Sequence, residues 1–399
     1  MNYNKPDVRN VLKLDYNTGY SISKTDINVI NNVLTSLNLK YAITDITPTP
    51  AITSYHLQMF DTDFVPKIGR IEKALRTMLA NGNIKVDISK GFVIQIPNKD
   101  RHTIGLADVI GNAKVKPSAL PLSLGIDENG NGLFYDLAKA PHMLIGGTTG
   151  SGKSVCVNSI IASLLLFLGP KHLELTLIDP KFVEFAKYNG LPHLAEPVIT
   201  EVDTAIAVLN NAVCEMERRY KIFEDSGYKS IDDYPYLMKY KVIIIDELAD
   251  LMLQGGNAIK EPLTRLLQKS RAAGIHIILA TQNPIAKVIP NIIKANCPTR
   301  IAFKTASITD SRVILDYGGA DKLLGYGDGL LKAVDNPNFV RFQGAYISDT
   351  ELEKIINHWK TEANRIQEEQ ERELQKQAES EPKHKKSIFK RLFRGKKTA

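Results

Sequence analysis

The hydrophobic pattern of this chain changes character along its length, and the changes divide it. After Ser23 to Asp26, which resembles a capping box, Ile27, Ile30, Leu34 and Leu37 recur on one helical face. Beyond Pro48 and Pro50, the alternation of Thr53, Tyr55, Leu57 and Met59 predicts a half-buried strand. Ile68, Ile71, Leu75 and Met78 predict a second helix, ended by Asn81-Gly82-Asn83. The run Phe92 to Ile96 reads as another strand, stopped by Pro97-Asn98. These patterns make residues 1–118 a small α+β unit.

From 119 to 348, apolar runs alternate with longer amphipathic stretches. Met143 to Gly146, Leu173 to Ile178, Lys241 to Ile245, Ile275 to Ala280 and Arg300 to Phe303 read as strands, with helices over Val202 to Phe223 and Lys260 to Ala272. That alternation predicts an α/β fold with a mostly parallel sheet covered on both faces. After Asp349 the stripe Leu352, Ile355, Ile356, Trp359 and Ala363 predicts a helix that docks on the preceding unit, and Gln367 to Glu381 lacks a core-forming face. Residues 349–382 are thus a C-terminal helix and linker. Residues 383–399 form a basic amphipathic tail, with Ile388, Phe389, Leu392 and Phe393 at helical spacing among Lys and Arg.

Composition narrows the class. A chain of 399 residues with 43% hydrophobic and 24% charged residues has ample core for two to three globular domains. The longest apolar stretch, Ile160 to Gly169, is about half the length needed to span a bilayer, and Met1 to Asn10 is too polar for a secretory signal. Cys156, Cys214 and Cys297 show no C-x-x-C spacing, which points to a reducing cytosol and no zinc site. The expected location is cytoplasmic, or peripheral at a membrane through the tail. Of the net charge of +7, eight cations lie in residues 383–399, and removing them leaves −1 on the other 382 residues. Bulk charge therefore demonstrates no nucleic-acid groove in the body, and the tail is left as a polyanion-binding, partner-binding or merely solubilising segment.

Candidate chemistry begins at Pro141 to Val155, PHMLIGGTTGSGKSV. An apolar strand, a glycine-rich turn and an apolar helix are the context for G-x-x-x-x-G-K-S, whose inward N–H groups cradle a diphosphate. Gly147, Thr148, Thr149, Gly150, Ser151, Gly152, Lys153, Ser154 and Val155 are the predicted ATP-binding loop. Lys153 would reach the β- and γ-phosphates, and the Ser154 hydroxyl would sit on Mg²⁺. The run Val242 to Ile245 delivers Asp246-Glu247 at a strand end, where Asp246 would hold Mg²⁺ through water and Glu247 would polarise the attacking water. The plainer alternative is an acid pair that caps the next helix. Gln282, after the strand Ile275 to Ala280, reads as a γ-phosphate sensor or an ordinary strand-end amide. His56 and His102 read as surface or satisfied core histidines.

The strings LIDPK, LPHL, EMERRYK, IIIDELADLM, QKSRAAGIHIILATQNP, IKANCPTRIAFK, SRVILDYGGADKLLGYGDGLL and QGAYISD follow the phosphate loop in the order of the FtsK/SpoIIIE family of DNA translocases, which this sequence resembles. YHLQM, RIEKAL and IPNKDR resemble that family's α domain. The resemblance implies a RecA-like P-loop ATPase that assembles as a ring, usually a hexamer, around duplex DNA. It implies a trans-acting arginine finger, best matched by Arg300 in PTRIAF with Arg271 in SRAAGIH as second choice, a structural ion pair being the plainer role of Arg300. Lys260, Lys287, Lys294 and Arg312 are candidate pore cations or solvated surface charges. The sequence departs from well-known members in having no membrane-spanning N-terminus, no winged-helix domain, and TPAITSY where a glycine-proline start is usual. The leading reading is an ATP-dependent double-stranded DNA translocase. A conjugative coupling or secretion-type ATPase is the nearest alternative. A nucleotide-gated DNA-binding scaffold, whose mark would be loss of the carboxylate that Glu247 supplies, is the alternative of another class.

Overall fold

Two sheets organise the chain. The computed structural model describes residues 3–13, 22–88, 91–111, 118–334 and 336–380, so the tail at 383–399 lies outside the described residues. A one-turn helix α1 (Val8–Val11) precedes α2 (Lys24–Ser36), which Ser23 caps by accepting a hydrogen bond from the Asp26 N–H at 3.2 Å. Strands β1 (Tyr41–Pro48) and β2 (Ile52–Met59), helix α3 (Ile68–Met78) and strands β3 (Lys85–Asp87) and β4 (Phe92–Pro97) follow. The four strands form an antiparallel sheet in the order β1-β2-β4-β3. Ile30, Leu34, Tyr55, Ile71, Leu75 and Ile94 fill its core with α2 and α3.

Strand β2 is more buried than its alternation predicts, because it runs between β1 and β4 and because Leu324 of the larger unit packs on Ile52. Helix α3 ends at Met78, ahead of Asn81-Gly82-Asn83, where Ala80 turns into the left-handed region at φ 50°. Strand β1 had no prediction. Its Tyr41 to Pro48 run mixes Thr and Asp among the apolar residues of a half-exposed edge.

Helix α4 (Leu106–Gly111) leads into β5 (Pro121–Asp127), β6 (Gly132–Asp136), β7 (His142–Gly146), α5 (Lys153–Phe167), β8 (Leu173–Ile178), α6 (Val202–Ser226) and β9 (Tyr240–Ile245). Then come α7 (Leu248–Lys269), β10 (Ile275–Thr281), α8 (Asn291–Asn296), β11 (Thr299–Phe303), α9 (Ile308–Leu315), β12 (Asp328–Ala333), β13 (Asn336–Gly344) and α10 (Asp349–Ser380). The larger sheet has nine strands in the order β6-β5-β13-β12-β11-β7-β10-β9-β8. Strands β11, β7, β10, β9 and β8 are parallel, and β12, β13, β5 and β6 extend the sheet antiparallel. The α/β, RecA-like architecture is the predicted one, but its sheet is mixed rather than mostly parallel. The antiparallel strands escaped prediction because Gly125, Gly132, Gly329 and Asn336 interrupt their apolar pattern with residues that read as turns.

Each central strand feeds two cores. Met143 and Ile145 face one side of the sheet and Leu144 the other, as do Val242 and Ile244 against Ile243 and Ile245. A strand buried on both faces must be apolar at every position, which is why these runs were legible. Helix α5 lies between the sheet and α10, and between Cys156 and Leu166 every residue but the half-buried Asn158 is buried, which leaves it almost no polar face over that span. Trp359 of α10 is fully buried and donates its ring N–H to the Leu165 carbonyl at 2.9 Å. Val11, Leu12, Ile104, Leu106 and Val109 join the same core, so it groups residues 1–118 differently from the hydrophobic pattern: both flanks of the small unit pack with the larger one.

Helix α7 corrects the predicted start at Lys260. It begins at Leu248, directly after Glu247, and passes through Gly255 with a kink at Gly256 (φ 52°, ψ −129°). Among the described residues no helix is long and apolar enough to cross a membrane.

Candidate nucleotide-binding site

The parallel strands β7, β9 and β10 are neighbours, and their C-terminal ends bring together the phosphate loop, Asp246-Glu247 and Thr281-Gln282. Sequence separations of about a hundred residues vanish because parallel pairing sets all three ends on one edge. Gly152 enters α5 at φ 115°, and a Cβ there would sit 2.6 Å from the Gly327 nitrogen. Only glycine serves at that point. The loop is anchored from below by the Thr148 N–H, which donates to the Lys304 carbonyl at 2.9 Å, and by the Gly327 N–H, which donates to the Ser151 carbonyl at 2.8 Å.

Lys153 is 2% exposed, and its ammonium donates to Asp246 Oδ1 at 2.7 Å and to the Asp246 carbonyl at 3.0 Å. A buried cation needs such a partner. Glu247 is buried too, and its carboxylate accepts three hydrogen bonds: Thr281 Oγ1 donates to Oε1 at 2.5 Å, the Gln282 N–H donates to Oε2 at 3.0 Å, and the Ala249 N–H donates to Oε1 at 3.3 Å. Glu247 is therefore also the N-cap of α7, the plainer role weighed from sequence. Thr149 Oγ1 donates to Gln282 Oε1 at 2.8 Å, so the phosphate loop, Gln282 and Glu247 form one hydrogen-bonded chain. Ser154 and Val155 open the first turn of α5, half-buried beside the cleft. Ser151 Oγ is buried with no partner among the described residues.

The cleft above the loop has a volume of about 820 Å³, in the range of small-ligand sites. Besides Thr148 to Cys156 it is lined by Lys99, Arg101 and His102 from the segment after β4, and by Tyr326 and Tyr346.

A model of the FtsK/SpoIIIE family matches residues 106–241 and 235–286. The DNA translocase FtsK of Oceanobacillus iheyensis is 42% identical over 348 residues, 82% of this chain and 44% of that protein. The chain belongs to the FtsK/SpoIIIE family. The DNA translocase SftA of Bacillus subtilis is 40% identical over 83% of this chain and 36% of its own length, so the chain spans less than half of these relatives. Among solved structures, the pCW3 conjugation coupling protein TcpA, in its monomer form with ATPγS, aligns over 84% of this chain and 99% of its own at TM-score 0.59 and 26% identity. The cytoplasmic domain of the type VII secretion ATPase EccC of Thermomonospora curvata aligns over 63% of this chain and 32% of its own, at TM-score 0.54 and 25% identity.

Within this FtsK/SpoIIIE framework, Arg300 stands apart from its expected role. It is buried, and its guanidinium donates to the carbonyls of Cys297 (2.9 Å), Ile314 (3.2 Å) and Lys294 (2.7 Å) and to the Asp316 carboxylate. These contacts, all within the chain, make Arg300 a structural ion pair, whereas a trans-acting finger would have to project. Arg271, the second choice, is exposed. Lys294 is half-buried and paired with Asp316 at 2.7 Å. Lys260 on α7, Lys287 after β10 and Arg312 on α9 are exposed and without a side-chain ion pair among the described residues.

His56 is half-buried beside Thr47, with 3.3 Å between its Nε2 and the Thr47 hydroxyl, while His102 borders the cleft. Thr281, Tyr326, Lys99 and Arg101 had no role at the site in the sequence, and His102 had only the plain reading of a surface or core histidine. A signal existed for Thr281, the neighbour of Gln282 at the same strand end. Nothing local could flag Lys99 to His102, which reach the cleft only through the docking of the small unit.

Proposed function

We propose that this chain is an ATP-hydrolysing motor that moves along double-stranded DNA as a homo-oligomeric ring, working in the cytoplasm. The observation that carries the reading is the junction of Lys153, Asp246, Glu247 and Gln282 at the ends of three adjacent strands, in a chain of this family. Relatives named DNA translocase support the polymer, and a solved neighbour holding ATPγS supports the nucleotide.

Residues 147–155 would wrap the triphosphate with backbone N–H groups. Lys153 would exchange the Asp246 carboxylate for phosphate oxygens, which releases that carboxylate. The Ser154 hydroxyl, next in the chain to the Lys153 that contacts Asp246, and the Asp246 carboxylate are hard oxygen donors of the kind Mg²⁺ takes, and the orphaned Ser151 hydroxyl marks the loop as built for a polar guest. Ser154 and Asp246 are the residues that would hold Mg²⁺, and the chemistry the ion would supply is neutralisation of phosphate charge. Glu247, oriented by Thr281 and the Gln282 N–H, would position the attacking water and accept its proton. A γ-phosphate that draws Thr149 from Gln282 would be felt at Glu247 through the Gln282 backbone. Arg271 is the stronger candidate for the trans finger, and Lys260, Lys287 and Arg312 are candidates for phosphate contact in the pore.

Glu247→Gln should retain ATP affinity and lose turnover by roughly 10²-fold or more. Duplex DNA should raise wild-type turnover more than single strands or protein, and triplex displacement should report movement. Wild-type turnover as low as the variant's would favour the nucleotide-gated scaffold. The likeness to TcpA over nearly its whole length favours one second reading, a conjugative coupling ATPase, and preferential stimulation by single strands would select it.

A further inference from the structure

Tyr326 is a non-glycine residue at positive φ on the rim of the candidate ATP site. Gly325, Tyr326 and Gly327 are three successive residues at positive φ (80°, 53° and 90°), and tyrosine is a poor choice for the middle of such a turn. Packing does not account for it, because Tyr326 is 83% exposed. The turn is nevertheless held firmly. Gln343 Nε2 donates to the Tyr326 carbonyl at 2.8 Å, the Gly344 N–H donates to the Gly327 carbonyl at 2.7 Å, and the Leu324 N–H donates to Asp328 Oδ2 at 2.8 Å. The Gly327 N–H binds the phosphate loop itself at the Ser151 carbonyl, so the position of Tyr326 is tied to where phosphates would lie.

Tyr326 borders the same cleft as the phosphate loop, and Tyr346, His102 and Arg101 border it as well. A nucleoside triphosphate held by the loop must place its base somewhere in that cleft. The site offers aromatic surface there, with Tyr346 itself 44% exposed. We propose that Tyr326 is the platform on which the base of the bound nucleoside triphosphate stacks, the strained turn serving to present the ring at a fixed distance from the phosphate loop. The proposal rests on the nucleotide-site reading and adds the contact that selects the base end of the ligand. A stacking face responds to ring area, so it favours purine over pyrimidine nucleotides and separates purines from one another weakly.

The test compares ATPγS with inorganic tripolyphosphate by titration calorimetry on the full chain and three variants. Tyr326→Ala and Tyr326→Gly should weaken ATPγS binding roughly tenfold, as loss of one base–aromatic stack implies, and leave tripolyphosphate binding unchanged. Tyr326→Phe should bind both ligands as the unmodified chain does. Tyr326→Gly suits the positive φ and should fold at least as stably, so its lost affinity cannot be ascribed to a damaged fold. Unchanged ATPγS binding in the Ala and Gly variants overturns the proposal, and so does a parallel loss of tripolyphosphate binding. Loss of duplex DNA binding with ATPγS binding intact would overturn it in favour of a nucleic-acid contact. Failure of the unmodified chain to bind either ligand would instead sink the nucleotide-site reading.

Discussion

Arg300 and Lys153 are both buried cations, and their partners give them opposite meanings. Lys153 has a carboxylate and a carbonyl that, on the proposed function, incoming phosphates would replace, whereas Arg300 spans three carbonyls and Asp316, which together lock α8, β11 and α9. Burial pushes the Asp316 carboxyl up, but hydrogen bonds from Lys294 and Arg300 outweigh it and hold the group at about 2. Arg300→Ala should cost about 2–3 kcal/mol in urea unfolding, less than a fully buried pair because the Asp316 side chain is 46% exposed. Turnover of the remaining folded protein should persist. A variant with full stability and abolished turnover would restore Arg300 as the finger. Residue types at the phosphate loop were legible because their spacing is the chemistry. Those of Arg300 were not, because a guanidinium serves a neighbour or its own fold equally well until its acceptors are known.

Elements were legible where one periodicity decided them. The run Val242 to Ile245 has no polar position to spare, and α10 shows its docking stripe openly. Elements failed where packing overrode composition, as in α7, which carries a helix through Gly255-Gly256 by a single kinked residue. The docking of α10 matters to the site because α5, which it covers, begins with Lys153 and Ser154. Trp359 is fully buried against α5, and its ring meets His193 edge-on at 4.6 Å between centroids. Trp359→Ala should therefore cost about 3–5 kcal/mol in urea unfolding and expose α10 to proteolysis. A loss under about 1 kcal/mol would mean that α10 rests on the larger unit without stabilising it.

At the scale of the molecule, a buried polar link joins the two units. Arg341 on β13 donates to both Asp328 oxygens (3.0 and 2.7 Å) and to Gln95 Oε1 of the small sheet (3.2 Å), and Gln95 Nε2 donates to Glu128 at 3.0 Å. Asp328 closes the turn that carries Tyr326, so the small unit is connected to the cleft mouth by hydrogen bonds as well as by Leu324 on Ala51 and Ile52. Three histidines are buried in the larger unit, and burial lowers His142 to about 3 and His193 and His276 to about 4. Their folded values lie below the unfolded value of 6.5, so the unfolded chain binds more protons in between. Stability is then complete above about pH 6.5 and falls as pH drops toward 4, by up to roughly 1.4 kcal/mol per pH unit for each imidazole. Urea unfolding at pH 7.5 and pH 5 should differ accordingly, and equal stabilities would show that the imidazoles are not buried in solution.

By itself the sequence determined the glycine-rich loop between strand and helix, the acidic strand end, the central strands and the docking helix. Each is a local pattern whose physics, whether backbone turn, uninterrupted burial or one apolar face, is complete within a few residues. Tertiary structure alone decided that Thr149, Gln282 and Glu247 share one hydrogen-bonded chain, that Arg300 faces inward, and that Tyr326 stands over the cleft. Those facts depend on which strands lie side by side and on what accepts each donor, and no spacing along the chain encodes either one.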